Sequence, residues 1–362
     1  MTNIDEFLFI SLPPSLQDKI PGIKLDPSIL IPIEADSKDI ARTLKNLTIE
    51  QVIASLLKIF LVDPPHPNLS YYKKIIFHYR SDIVSHLIEG AIQKEKAHDY
   101  DTAEDIFKIV AKLEPEEPTH IWNLAIFCDY RYSLYKKLEN LQMSSDYQKL
   151  TNSYLETLFK FENIDTEYHY KASLFYIDSG DYKSAIKHLE FYLQHGSDEK
   201  NLQEANGLLS QAKNLLTNAN QIQEFFKLIE TDRKALIKKA QNALGENEEF
   251  WEAAFFLGWA LRIEKKFKEA KEALKKAIKL NKKSPLIYNE LAICHLELGE
   301  LAQSKKLLEQ GLKLDRKNIS LLSNLALLHL KEDNELAATE LFEEVLTLNP
   351  EDPIAKNFFK KM

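Results

Sequence analysis

Apolar residues recur along the C-terminal third of the chain with a period of 34, and that period predicts the architecture. One unit opens at Trp251, the next at Pro285 and a third at Ile319. When each is numbered from 1, position 7 reads Leu257, Leu291 and Leu325, and position 8 reads Gly258, Ala292 and Ala326. Position 20 reads Ala270, Ser304 and Ala338, position 24 reads Leu274, Leu308 and Phe342, and position 27 reads Ala277, Gly311 and Val345. Within each half-unit the spacing follows a helix, not a strand. The pattern therefore predicts two amphipathic helices per unit, antiparallel across a turn near position 15, as at Gly299. Small residues at positions 8, 20 and 27 let the helices approach, and large ones at 7, 11 and 24 fill the space between them. A single pair cannot bury its apolar face, so neighbouring pairs must stack.

Weaker copies lie upstream. Residues 166–199 carry Gly180-Asp181-Tyr182 with Ala185 at position 20 and Leu189 at 24. Residues 84–117 carry His98-Asp99-Tyr100 with Ala91 at 8, Ala103 at 20 and Phe107 at 24. The unit opening at Pro118 has Leu124 at 7 and Ala125 at 8. It runs 14 residues over the period, or about two turns per helix if the excess is shared equally. Residues 200–250 form an irregular unit of one and a half repeats. Its second half reads as one protruding helix or as two, with Asp232 capping the second. Beyond the first 67 residues the prolines are Pro115, Pro118, Pro285, Pro350 and Pro353. All stand at unit seams, where a helix tolerates proline at its first turn.

These residues resemble the tetratricopeptide repeat. The resemblance implies an all-α chain, an α-solenoid (superhelix) of helix-turn-helix repeats. Repeats would cover 84–117, 118–165 and 166–199, the irregular segment 200–250, and three regular units in 251–352, with a capping helix at 353–362. Residues 1–36 hold Pro13, Pro14, Pro21, Pro27 and Pro32 among Ile20, Ile23, Leu25, Ile29, Leu30, Ile31 and Ile33. That composition predicts an extended arm with apolar side chains, packed on its own first helices or seated in a groove of this or a second copy. Residues 37–83 form a helical lead-in, with a capping box at Thr48–Gln51 and a stop at Asp63-Pro64-Pro65.

In the tetratricopeptide family the first helices line a groove through positions 2, 5, 9, 12 and 13. Chaperone-binding members carry a Lys/Asn/Arg carboxylate clamp, for which Asn123 and Asn324 stand at position 6. Carried over residue by residue, the resemblance nominates Trp122, Asn123, Ile126, Tyr170, Leu174, Phe255, Trp259, Arg262, Asn289, Ile293 and Asn324 as protein-binding residues. Phe255, Trp259 and Arg262 form one stripe of anchor-type side chains. The lysine and arginine of the family's carboxylate clamp are missing beside Asn123 and Asn324. The groove is thus expected to hold an extended or helical segment by apolar anchors.

Composition narrows the chemistry. Glycine is scarce, at 9 of 362 residues, and no glycine-rich phosphate loop occurs. Metal, nucleophile-elbow and redox motifs are absent as well. His66, His78 and His86 lack acidic companions at ligand spacing, and Cys128 falls at a core position. No catalytic residue, metal or cofactor is expected. A net charge of −8 argues against nucleic acid. Ten Lys/Arg against four Glu in residues 251–283 read as a solvated helix face or an acidic-partner dock. The expectation is a non-enzymatic, cytoplasmic adaptor with no membrane span. A self-assembling protein whose arm occupies a groove, and so a homo-oligomer, is the alternative.

Overall fold

The computed structural model describes residues 3–34 and 44–361, and the chain divides into two compact units, Met1–Leu209 and Ser210–Met362. The opening of the helical lead-in, residues 37–43, lies outside the described residues.

The first unit opens with a two-stranded antiparallel ribbon, β1 (Phe7–Ile10) and β2 (Ile31–Glu34), with a short helix α1 (Pro14–Gln17) between them. Helices α2 (Ile49–Lys58) and α3 (Leu69–Tyr79) follow. Then come three hairpins: α4 (Ile83–Lys96) with α5 (Tyr100–Leu113), α6 (Pro118–Lys137) with α7 (Leu141–Leu158), and α8 (Glu167–Ser179) with α9 (Tyr182–His195). A 33-residue helix, α10 (Glu199–Thr231), carries the chain across the boundary between the units.

The second unit continues with α11 (Arg233–Glu246) and three hairpins. These are α12 (Trp251–Ile263) with α13 (Phe267–Leu280), α14 (Pro285–Glu297) with α15 (Leu301–Leu314), and α16 (Ile319–Lys331) with α17 (Glu335–Leu348). A seven-residue helix, α18 (Pro353–Phe359), stacks Phe358 on Phe342 at 4.8 Å and closes the last hairpin's core. Within each unit the hairpins stack as an all-α solenoid. The open alternative for residues 200–250 resolves as two helices. The Asp232 side chain accepts the Ala235 N–H and starts α11, so the long α10 ends one residue earlier.

Three local rules explain the regularity. The small residues at positions 8, 20 and 27 are all buried, and a Cβ on Gly258 would lie 2.4 Å from Leu274 Cγ, so α12 and α13 touch there. The turn at position 15 takes a left-handed residue each time: His98 (φ 61°), Gly180 (82°), Lys265 (60°), Gly299 (78°) and Asp333 (58°). Only two of those five are glycine, so three turns accept a steric cost of about 1 kcal/mol each. The long unit obeys the same rule. Its left-handed residue is Glu139 (φ 57°), seven places later than the template, because α6 has 20 residues where its counterparts have about 13. Half of the 14 extra residues thus precede the turn; of the other seven, α7 takes four, having 18 residues where its counterparts have 14, and the connection after it takes three.

The N-terminal segment departs from the extended arm expected from its prolines. Leu12, Leu16, Ile20, Ile31 and Ile33 are buried with Val52, Leu56, Tyr72, Ile75 and Ile76 in one core. Tyr71 Oη accepts the Asp26 N–H at 2.6 Å, and Tyr72 Oη donates to the Leu30 carbonyl at 2.8 Å. Proline forbids a long helix here but tolerates the single turn of α1 and a two-stranded ribbon, where each strand has an edge that needs no N–H donor. Burying those five aliphatic side chains contributes on the order of 10 kcal/mol before chain entropy is subtracted, enough to fold the segment back on its own helices.

Candidate functional site

In the first unit α6 and α8 stand side by side, with α7 behind them. Between them opens a cavity of about 330 Å³ lined by Trp122, Ile126, Asp129, Thr151, Leu174 and Asp178, among others. Three nominated residues meet here. Trp122 packs against Tyr168 at 5.2 Å, while Ile126 and Leu174 remain 49% and 40% exposed. Trp122, Ile126 and Asp129 lie on one face of α6 because four and three residues separate them. Water-facing aliphatic side chains on opposed helices are a cost that a solenoid of this kind can otherwise avoid by closing the gap.

The electrostatics of the cavity are uneven. Lys136 pairs with Asp178 at 3.7 Å, and the Lys171 ammonium lies 6.0 Å from the Tyr168 ring centroid. The Asp129 carboxyl has neither a hydrogen bond nor an ion pair among the described residues. Burial pushes it up to about 6, the Asp178 charge adds to that, and Lys136 opposes it.

The wall behind is rigid for a reason the periodicity does not disclose. Arg131, only 5% exposed, inserts its guanidinium among the rings of Tyr100, Tyr135 and Tyr147 at 4.7, 5.0 and 5.1 Å. Its Nη2 donates to Tyr135 Oη at 2.7 Å, and Tyr147 Oη donates to Glu104 Oε2 at 2.9 Å. One cation therefore ties α5, α6 and α7 together. Tyr170, another nominated residue, is buried against Tyr192 at 5.2 Å and does not line the cavity. Asn123 is half-buried beside Trp122.

In the second unit the equivalent face is occupied by its own residues. Phe255 is 7% exposed and packs on Phe256 and Trp259, while Phe225 and Phe226 of α10 close over Phe256 at 5.5 and 4.8 Å. Arg262 donates to Glu290 of the next hairpin in a pair that is largely buried. Burial pushes the Glu290 carboxyl up and Arg262 pulls it back. Asn289 is buried and accepts a 2.7 Å hydrogen bond from Asn324 of the hairpin after that. Ile293 is half-buried between them in sequence. The nominated stripe and its polar neighbours thus run as a ladder from α12 to α14 to α16, each rung a contact between adjacent hairpins.

A family model described as tetratricopeptide repeat matches residues 261–328, which run from the end of α12 to the end of α16. This stretch of the chain carries tetratricopeptide repeats. Among solved structures it is similar to the tetratricopeptide domain of OM64 from Arabidopsis, at 24% identity, covering 31% of this chain and 92% of that one with a TM-score of 0.30. It is also similar to TTC0263 from Thermus thermophilus, at 16% identity over 54% of this chain and 98% of that one, TM-score 0.33. A third similar structure is PilF from Pseudomonas aeruginosa, at 13% identity over 78% and 99%, TM-score 0.30. No curated protein matches the sequence.

The remaining reactive side chains are engaged within the helical hairpins. Cys128 and Cys294 are buried, and burial pushes both thiols up to about 12, where they hold their protons. His295 pairs with Glu300, which also receives Lys271 at 2.8 Å. His169 and His188 are hydrogen-bonded at 2.9 Å through their Nδ1 atoms, one ring donating and the other accepting, and Phe159 and Phe191 pack around them. Burial first, then neighbouring cationic groups, lowers both to about 4, so both rings are neutral at pH 7. No group of three His, Cys, Asp or Glu among the described residues is arranged to hold a metal ion. No helix among them is long and apolar enough to cross a membrane.

Proposed function

We propose that the protein is a non-enzymatic adaptor that binds a segment of another polypeptide on the first-helix face of its N-terminal unit. Tetratricopeptide repeat proteins generally mediate protein–protein interactions, and this chain carries such repeats. The observation that carries the reading is the open cavity between α6 and α8, where Ile126 and Leu174 face water beside Trp122. Large, stiff side chains around a concavity lose little entropy when a partner covers them. The same argument does not extend to Phe255, which is buried, or to Arg262, which is paired with Glu290, and Trp259 between them is half-buried against Phe255.

The arm-in-groove alternative finds no support in the geometry, because the N-terminal apolar side chains are buried in the core of their own unit. The test is affinity capture by the full chain from its native cell, comparing wild type with Trp122→Ala/Leu174→Ala and with Lys268→Ala, on the basic face of α13. Loss of the captured partner in the first variant only is the expected result. An unchanged partner set in that variant would remove the proposal.

A further inference from the structure

We propose that the segment bound between α6 and α8 places a lysine or arginine against Asp129, next to a bulky apolar side chain seated on Trp122, Ile126 and Leu174. This inference rests on the binding surface proposed above and specifies the chemistry of its occupant. The cavity has an apolar wall and one unsatisfied carboxyl. Asp178 already has Lys136 at 3.7 Å, and the Lys171 ammonium stands by the Tyr168 ring. Asp129 alone takes no hydrogen bond or ion pair among the described residues, yet it is half-buried at the cavity edge. A partly desolvated carboxylate with no partner is unfavourable, and a cationic ligand group is what relieves it. An acidic or carboxylate-terminated ligand would meet two aspartates instead.

The spacing sets the motif. Ile126 and Asp129 are three apart on a helix, so their Cβ atoms lie about 5–6 Å from each other. An extended segment rises about 3.3 Å per residue, which puts its basic residue one or two places from the apolar one. The charged groups facing Asp129 are Asp178 and Lys171 from α8 and Lys136 from α6, while α7 offers the uncharged Thr151 and Leu155. Because burial raises the Asp129 carboxyl to about 6, it is only about one-tenth ionised at pH 5. Binding of a cationic segment should therefore weaken about tenfold between pH 7.5 and pH 5.

The experiment selects binders to the immobilised full chain from a phage-displayed library of random dodecapeptides at pH 7.5. Selected peptides are expected to carry Lys or Arg within two residues of a large apolar side chain. Their affinity should fall about tenfold in Asp129→Asn and about tenfold in wild type on lowering the pH to 5, with that pH dependence gone in the variant. Selected peptides without a basic residue, or affinities indifferent to Asp129→Asn and to pH, overturn the inference. If Trp122→Ala abolishes their binding all the same, the surface stands and only the basic residue is lost. If Trp122→Ala changes nothing, or the selection yields no peptide, the surface itself fails.

Discussion

The first-helix faces of the two units are built from the same repeat positions, bury position 5 alike at Tyr170 and Phe255, and differ in how far position 9 is covered. In the N-terminal unit position 9 of successive repeats presents Ile126 and Leu174 to water, with a cavity between their helices. In the C-terminal unit position 9 reads Trp259, Ile293 and Leu327, all half-buried, and position 12 spends Arg262 on Glu290 of the next hairpin. What differs is the neighbour. Phe225 and Phe226 of α10 cover the second unit's aromatic cluster, whereas a cavity stays open between α6, α7 and α8 in the first. A side chain that looks like a binding anchor is one only where its neighbours leave it uncovered.

The contrast is testable by stability. Phe255→Ala removes a buried aromatic ring and should lower the unfolding free energy by about 3–4 kcal/mol, while Ile126→Ala should change it by less than about 0.5 kcal/mol. Chemical denaturation of both variants checks this, and similar costs would erase the distinction. Arg262→Met leaves Glu290 buried without its cation and should cost about 3 kcal/mol. Lys171→Met, at the open cavity, should fall within about 0.5 kcal/mol of wild type.

Acid should strike the first unit through its histidine pair. His169 and His188 sit near 4 in the folded chain and near 6.5 when unfolded. The unfolded chain therefore binds protons first. Stability is full above about pH 6.5 and is lost as the pH falls from there toward 4. Allowing for the partial exposure of His169, a loss of about 2 kcal/mol between pH 7 and pH 5 is expected. Thermal unfolding across that range should show it, and His169→Phe/His188→Phe should flatten the slope. The smallest effects belong to the turns. Gly299→Ala, at φ 78° with nothing within 4 Å of the new Cβ, should cost about 1 kcal/mol of backbone strain alone. Lys265→Gly, at the same repeat position, should gain up to about 1 kcal/mol, and a melting-temperature comparison of the two resolves the sign.

Much of the fold was legible because hairpin packing is a local demand repeated in sequence. Small residues at positions 8, 20 and 27 and a turn at position 15 follow from two helices having to touch, and proline marks the seams. The ribbon at residues 7–10 and 31–34 was not legible. Its strands have four residues each, one holds Pro32, and their pairing joins segments more than twenty residues apart. Nor did the periodicity distinguish the ways of dividing the 14 extra residues of the α6–α7 hairpin, since whole turns in either helix keep the apolar face aligned. Of the site, Trp122, Ile126 and Leu174 came from the family resemblance, carried over by repeat position. Asp129 stood at position 12 in plain view, but nothing in a list of positions reveals that its carboxyl lacks a partner.

Read from residues alone, this protein is a stack of helical hairpins whose period sets the direction of every side chain. Which of those side chains meet another and which face an empty cavity was decided only when distant segments came together. Periodicity dictates where a side chain points. What stands opposite depends on helix lengths and on residues of other elements, such as the α10 phenylalanines over Phe256 or Glu290 against Arg262.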